Sequence, residues 1–288
     1  MSFSVALAKM QILCIIYSGD TMKRIAVIND LSGFGKCSLT AALPIISAFN
    51  MQACPLPTGI YSNQTGYESY TSVDMTLYLP AFIDEWRRLQ PSFDGILTGF
   101  LPNCEQGNIL ADFIDEFKTE NTLVLADPIM GDDGTVYDGF DAARIAAVRA
   151  LADKADVLTP NVTELALLCG KDCTKPYSLK ELEAMSASLG KTVITTGIPL
   201  GEEIGTAVYD GNSFEVITVR RLGEHFSGTG DIFSSYVLCE LLSGSTVFEA
   251  AERACAFIAK AIEETLNHTP AMPYHADGID FERFLKIV

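Results

Sequence analysis

The chain has 288 residues, 48% of them hydrophobic, which is enough apolar material for one large α/β domain with a substantial core. Its 20 Lys and Arg face 37 Asp and Glu, a formal charge of −17 that opposes binding to nucleic acid or to an anionic membrane surface. The eight cysteines, at positions 14, 37, 54, 104, 169, 173, 239 and 255, form no C-x-x-C pair, and only three histidines accompany them, so a zinc cluster is excluded and free, buried thiols in a reducing cytoplasm are expected.

Residues 1–21 stand apart. The apolar run 10–17 is too short to span a bilayer, only Lys9 precedes it, and no small-residue cleavage site follows cleanly. Met22 opens a run that reads like the first strand of a cytosolic α/β domain. Translation is therefore expected to start there, with 1–21 an extension and 22–288 a single domain.

From Met22 onward, short β-branched runs alternate with amphipathic stretches, the pattern of parallel strands joined by crossover helices. Strands are expected at 24–29, 95–98, 123–126, 157–159, 192–195, 206–209 and 214–219, the last two forming a hairpin around Asp210-Gly211-Asn212. Helices are expected at 38–49, 75–89, 105–118, 142–151, 161–168, 178–189, 231–242 and 247–264. The chain is thus read as α/β, with a central, mainly parallel sheet flanked by helices.

In such sheets ligands bind where strands end and helices begin, and these turns are rich in polar residues and glycine. The first holds Asp30, an acceptor or counter-charge for a ring substituent, or simply a turn cap. The segment 58–67 (TGIYSNQTGY) interleaves hydroxyls and aromatics, suiting either a pocket for a flat polar ring or a surface loop. Phe100 serves as a stacking surface or as core. Asp127, Asp132 and Glu164 are oxygen donors for Mg²⁺, which favours a few carboxylates plus water and phosphate; they equally suit a turn cap, a solvated acid and a helix-dipole acid. Asn161 reads as an N-cap with Glu164 as its capping-box partner, in competition with a ligand role. Thr195 and Thr196 offer hydroxyls to phosphate oxygens at a strand end.

The strongest signal is 226–233 (FSGTGDIF), at the start of an apolar helix. Gly228 and Gly230 let backbone N–H groups approach an anion, and the helix N-terminus attracts one. A carboxylate repels phosphate, so Asp231 in this nest points to a proton acceptor for an incoming hydroxyl, as in a small-molecule kinase. An ordinary loop capped by Thr229 or Asp231 is the alternative.

Taken together, the Gly-Phe-Gly turn, SNQTGY at 62–67, LTGF at 97–100, DPIMGDDG at 127–134, TPNVTE at 159–164, ITTG at 194–197 and GTGD at 228–231 resemble the pyridoxal kinases of the ribokinase superfamily. The resemblance runs in order from about residue 22 to about residue 264. It implies a ribokinase-like fold, ATP-dependent phosphorylation of the 5′-hydroxymethyl group of vitamin B6, Mg²⁺, with a monovalent cation as a further candidate, and a homodimer.

It also implies roles. Asp231 matches the catalytic base, and Gly228, Thr229 and Gly230 the anion hole. Asp127, Asp132, Asn161 and Glu164 match positions around the metal and phosphates, Thr159, Thr195 and Thr196 nucleotide contacts, and Tyr137 a tyrosine near the phosphates. Asp30, Gly59, Tyr61, Thr65 and Phe100 fall at vitamin-pocket positions.

Three departures alter that pocket: Asp30 stands where serine is common, Phe100 replaces a common tyrosine, and Gly59 replaces a larger apolar residue. A carboxylate at 30 favours a cationic substituent such as the pyridoxamine amine. A hydroxymethylpyrimidine kinase shares GTGD and a hydroxymethyl acceptor, although SNQTGY argues against it. A vitamin-binding regulator without turnover is the non-enzymatic alternative.

Overall fold

The first strand, β1 (Arg24–Ser32), shows how the sequence builds the sheet. Ile25 and Val27 point to one face, Ala26 and Ile28 to the other, and all four are fully buried. Only a central strand covered on both faces needs apolar residues at every position. The computed structural model describes residues 22–223, 225–269 and 274–285; the segment 1–21, read above as an extension, lies outside them.

The other strands are β2 (Gln52–Tyr61), β3 (Ser72–Asp74), β4 (Gly95–Thr98), β5 (Leu123–Ala126), β6 (Gly131–Asp132), β7 (Thr135–Val136), β8 (Val157–Leu158), β9 (Thr192–Leu200), β10 (Glu203–Tyr209), β11 (Phe214–Arg220), β12 (His225–Phe226) and β13 (Tyr274–His275). Eight described helices are α1 (Ser38–Ala48), α2 (Leu79–Leu89), α3 (Glu105–Phe117), α4 (Ala142–Ala152), α5 (Val162–Leu168), α6 (Leu179–Ser188), α7 (Thr229–Leu242) and α8 (Val247–His268).

Nine strands form one sheet in the order β11-β10-β9-β8-β5-β4-β1-β2-β3. The six strands from β9 to β2 run parallel, and β10, β11 and β3 are added antiparallel. Ala26 and Ile28 pack with Leu79, Phe113, Val148, Leu165 and Leu182 from α2 to α6. Ile25 and Val27 pack with Leu39, Phe233, Val237 and Ala250 from α1, α7 and α8. Because β2 and β4 lie on opposite sides of β1, the chain reverses direction across the sheet there, and a crevice opens beyond the carboxyl ends of β1 and β4.

The expected α/β class with a mainly parallel sheet is thus observed, with changes at element ends. Segment 52–61 is a strand that the sequence reading did not assign, so 58–67 is a loop only after Tyr61. Pro55 and Pro57 disguise it. They are tolerated because, among the described residues, β3 pairs only with Gly59–Tyr61, leaving the outer edge of β2 without a strand neighbour at the prolines. The helix expected from 75 begins at Leu79, where Pro80 suits the first turn, and β9 runs on to Leu200, so Thr195 and Thr196 lie within a strand. The seven described cysteines are free, but Cys104 is exposed and Cys54, Cys169 and Cys173 are only half-buried.

Candidate active site

The crevice at β1 collects residues from five parallel strands: Asn29 and Asp30 from β1, Phe100 after β4, Asp127 after β5, Thr159 after β8, and Thr195 and Thr196 from β9 beyond the end of β8. The ladder between β8 and β9 is extended by a bridge between Asn161 and Thr196, whose N–H donates to the Pro160 carbonyl at 2.9 Å.

Facing this edge is the start of α7. Gly228 is its N-cap, in the left-handed region at φ 77°, and a Cβ there would sit 1.9 Å from the Lys36 carbonyl oxygen. Glycine is required for both reasons. The N–H groups of Thr229, Gly230 and Asp231 occupy the first three helical positions, where no i−4 acceptor exists within the helix, an arrangement able to receive an anion; the Asp231 N–H also donates to its own carboxylate. The Thr229 hydroxyl turns back to the Phe226 carbonyl at 3.3 Å, and the Cα of Gly230 faces the Asp127 carboxylate.

Asp231 is buried in the first turn of α7. Asn29 Nδ2 donates to its Oδ1 at 2.9 Å, and the Ser38 N–H also donates to its carboxylate. Ser38 holds a strained positive φ of 50° at the head of α1. Burial, reinforced by the Asp30 charge, pushes the Asp231 carboxyl up to about 6 despite these donors. That value suits a group that must be ionised near neutrality and still accept a proton.

Three more carboxyls share the crevice, all buried and all pushed upward chiefly by burial. The Asp231 charge raises Asp127, and the Asp127 charge raises Glu164. Glu164 accepts from the backbone N–H groups of Asn161 and Met130 at 2.8 and 3.1 Å, closing the expected capping box; Asn161 Oδ1 accepts from the Glu164 N–H and Asn161 Nδ2 donates to the Gly131 carbonyl. Among the described residues none of these four acids is ion-paired to Lys or Arg.

Buried carboxyls without a basic partner suit a cation that would let them ionise, yet among the described residues no three acid, histidine or cysteine side chains make a metal cage. Asp132 lies exposed on the β6–β7 hairpin, near enough for its charge to add to the rise at Glu164. This donor set fits Mg²⁺ held largely by phosphate oxygens and water, with Asp127 and Glu164 as its protein anchors.

Toward the ends of β8 and β9, the hydroxyls of Thr159 and Thr195 are buried with no hydrogen-bond partner among the described residues. Tyr137 is 44% exposed, its ring edge-on to Phe140.

Beside the end of β1, β2 carries one residue more than β1, so Thr58 and Gly59 lie opposite Asp30. Such a bulge re-aims side chains beside a site. The space over Gly59 is filled by the Tyr61 ring, which meets Phe100 edge-on at 6.2 Å. Asp30 accepts from the hydroxyls of Ser38 and Ser32 at 2.6 and 3.0 Å. Thr65 is exposed; the buried polar residue of its turn is Gln64.

Several functional side chains escaped the sequence reading. Asn29 is the main one. Its Nδ2 holds Asp231, and its Oδ1 accepts from the N–H groups of Asp30 and Phe100, so it locks β1, β4 and α7 together. An amide at the end of an apolar strand, next to a carboxylate, was the available signal. Arg144 gave none: its guanidinium stacks on Phe140 and Phe100 at 3.7 and 4.9 Å, and its Nε donates to the Leu101 carbonyl, 43 residues away in sequence.

Residues 39–274 match the family model described as phosphomethylpyrimidine kinase. A Bacteroides thetaiotaomicron structure, assigned by name to the phosphomethylpyrimidine kinases and solved with pyridoxal, is 36% identical with TM-score 0.87, covering 92% of this chain and 95% of that one. Pyridoxal kinase from Lactobacillus plantarum is 29% identical with TM-score 0.84, covering 92% and 96%. Pyridoxine kinase of Bacillus subtilis is 32% identical over 179 residues, 60% of this chain. The chain spans 58–65% of the length of that relative and of two counterparts from Saccharomyces cerevisiae and Caenorhabditis elegans. With the family model matching residues 39–274 and these structures superposing over more than nine-tenths of the chain, the chain belongs to the phosphomethylpyrimidine kinase family and has the ribokinase-like fold of the pyridoxal kinases.

Proposed function

We propose that the protein transfers the γ-phosphoryl group of ATP to the 5′-hydroxymethyl group of a B6 vitamer. The observation that carries this reading is Asp231: a buried carboxyl pushed up to about 6, oriented by Asn29, in the first turn of the helix that starts at this crevice. Asp231 takes the proton of the acceptor alcohol, the alcohol oxygen bonds to the γ-phosphorus, and the bond to the β–γ bridging oxygen breaks to release ADP. The N–H groups of Thr229, Gly230 and Asp231 stabilise the charge on the phosphoryl group in flight. Asp127 and Glu164, with Asp132 nearby, would hold Mg²⁺, which when bound would neutralise charge on the phosphates. Thr159, Asn161, Thr195, Thr196 and Tyr137 are assigned to the nucleotide and its phosphates.

The acceptor lies against Tyr61 and Phe100, with Asp30 and the backbone at Gly59 facing it and Thr65 at the rim. Pyridoxal in the Bacteroides thetaiotaomicron relative supports a pyridine ring over a pyrimidine. We include in this reading residues 22–288 acting as one domain, a cytoplasmic location consistent with the free thiols, and a homodimer. The exposed cross-strand pair Ile60 and Val73, with Leu77, Tyr78 and Phe82, makes an apolar patch beside edge strand β3 that suits a second copy. Val73→Lys should then give a monomer by sedimentation.

The direct test is ADP release with pyridoxal, pyridoxine, pyridoxamine and hydroxymethylpyrimidine, with ATP and Mg²⁺, repeated on Asp30→Ser. Turnover of the B6 vitamers above the pyrimidine is expected, with pyridoxamine losing most in the variant. Pyrimidine preference would replace the acceptor assignment, and ligand-dependent melting shifts without ADP release would mean a binding protein.

A further inference from the structure

We propose that the C-terminal segment 276–282 is a positioning strap that ties the acceptor turn to the anion-binding helix start, with Lys36 as its anchor. This rests on the reading of GTGD as the anion site, and it concerns a part of the chain beyond the family match, which ends at residue 274.

The strap makes three attachments. To the turn after β1, the Lys36 N–H donates to the Asp277 carbonyl at 3.1 Å, and Lys36 Nζ reaches Asp280, Glu282 and the Ile279 carbonyl at 2.7, 3.0 and 3.2 Å. To the 62–67 turn, the Ala276 carbonyl accepts from Gln64 Nε2 at 3.2 Å, and the Asp277 carboxylate accepts from the Tyr67 hydroxyl. At its entry, near the approach of α7, β13, the two residues just before the strap, pairs in parallel with β12, two residues before Gly228. Ile279 and Phe281 are buried with Ala41, Ile45 and Ile232, so the strap is pinned to the core at its centre.

Lys36 transmits this hold. Its carbonyl is the surface on which Gly228 rests, closer than any side chain permits, so a shift of Lys36 moves the N-cap of α7 with it. Gly278, at φ 87°, fits into the same corner: a Cβ there would lie 2.8 Å from Lys36 Cβ and 3.3 Å from the Ser227 carbonyl. Reactive geometry tolerates little displacement, whereas strap contacts at the surface add little to global stability. The strap therefore acts on alignment rather than on folding.

The test compares D277A/D280A/E282A, which keeps Ile279 and Phe281 in the core, with Gly278→Ala. Both should lower kcat and raise the acceptor KM, each on the order of tenfold or more, while the ATP KM stays within about twofold, because the nucleotide contacts lie on β8 and β9. Hydrogen exchange, which needs no turnover, should quicken at 62–67 and 228–231 in both variants and stay unchanged at 159–168. If the variants keep wild-type exchange at both turns, or if both KM values rise together with a fall in Tm, the strap is ordinary packing and the proposal is wrong. A wild-type protein inactive on every acceptor would instead overturn the functional reading, leaving the exchange result to decide the strap.

Discussion

Replacing Asp231 by Asn should separate catalysis from stability in opposite directions. Loss of a general base lowers turnover on the order of 10²–10⁴. The same carboxyl is costly to bury: raising it from 3.8 to about 6 is roughly two units, or about 3 kcal/mol at 1.36 kcal/mol each, of folding free energy lost at neutral pH. The folded state holds a proton that the unfolded chain releases between about pH 4 and pH 6, so wild-type stability falls as pH rises through that window, and the full penalty is present above it. Asn does not titrate. Against this gain, the Ser38 N–H would face an amide where it now meets a carboxylate, at a cost of about 1–3 kcal/mol. Asp127, relieved of the Asp231 charge, ionises more easily and adds to the gain. The variant should therefore be about 1 kcal/mol more stable than wild type at pH 7.5 and less stable at pH 4, a swing of about 3 kcal/mol. Urea unfolding at both pH values, beside a coupled ADP assay, reads both effects. Turnover within threefold of wild type (~0.7 kcal/mol of barrier), or a stability difference that ignores pH, would refute the reasoning.

The acceptor kcat/KM should fall about tenfold per pH unit below about 6, as Asp231 protonates, and a profile flat from pH 7.5 to 5 would count against it as base. Asn29→Ala should lower kcat on the order of ten- to hundredfold and also destabilise the fold, because the buried N–H of Asp30 loses its acceptor at about 1–3 kcal/mol and the part-buried N–H of Phe100 loses the same acceptor; kinetics and urea midpoints check both. Gly228→Ala combines a positive φ with a clash against the Lys36 carbonyl and should cost more than about 3 kcal/mol, seen as a lost or strongly lowered urea midpoint, with no measurable turnover.

Much of the fold is legible in local pattern, since apolar periodicity is a property of the segment itself. β1, β4, β5 and the eight helices follow from it, and so does the order of the turns that carry chemistry. β2 was hidden because Pro55 and Pro57 are strand breakers unless one edge of the strand is unpaired, and pairing is decided by neighbours. Asp231 beside two glycines marks a candidate anion site in four residues, since a helix start needs no partner to attract an anion. Its companions Asn29, Ser38 and Asp127 are 202, 193 and 104 positions away, and nothing in their own segments says that they share one crevice.

The sequence by itself therefore determined the α/β class, the glycine nest and the carboxylate within it, all consequences of residues close along the chain. Tertiary structure alone decided which polar groups meet. It set four acids without a Lys or Arg partner among the described residues in one crevice, made Asn29 the joint between three elements, and brought a C-terminal strap onto Lys36. Burial and long-range contact set a carboxyl's proton affinity and a loop's position, and both arise only when the sheet reverses direction at β1 and folds distant turns onto one edge.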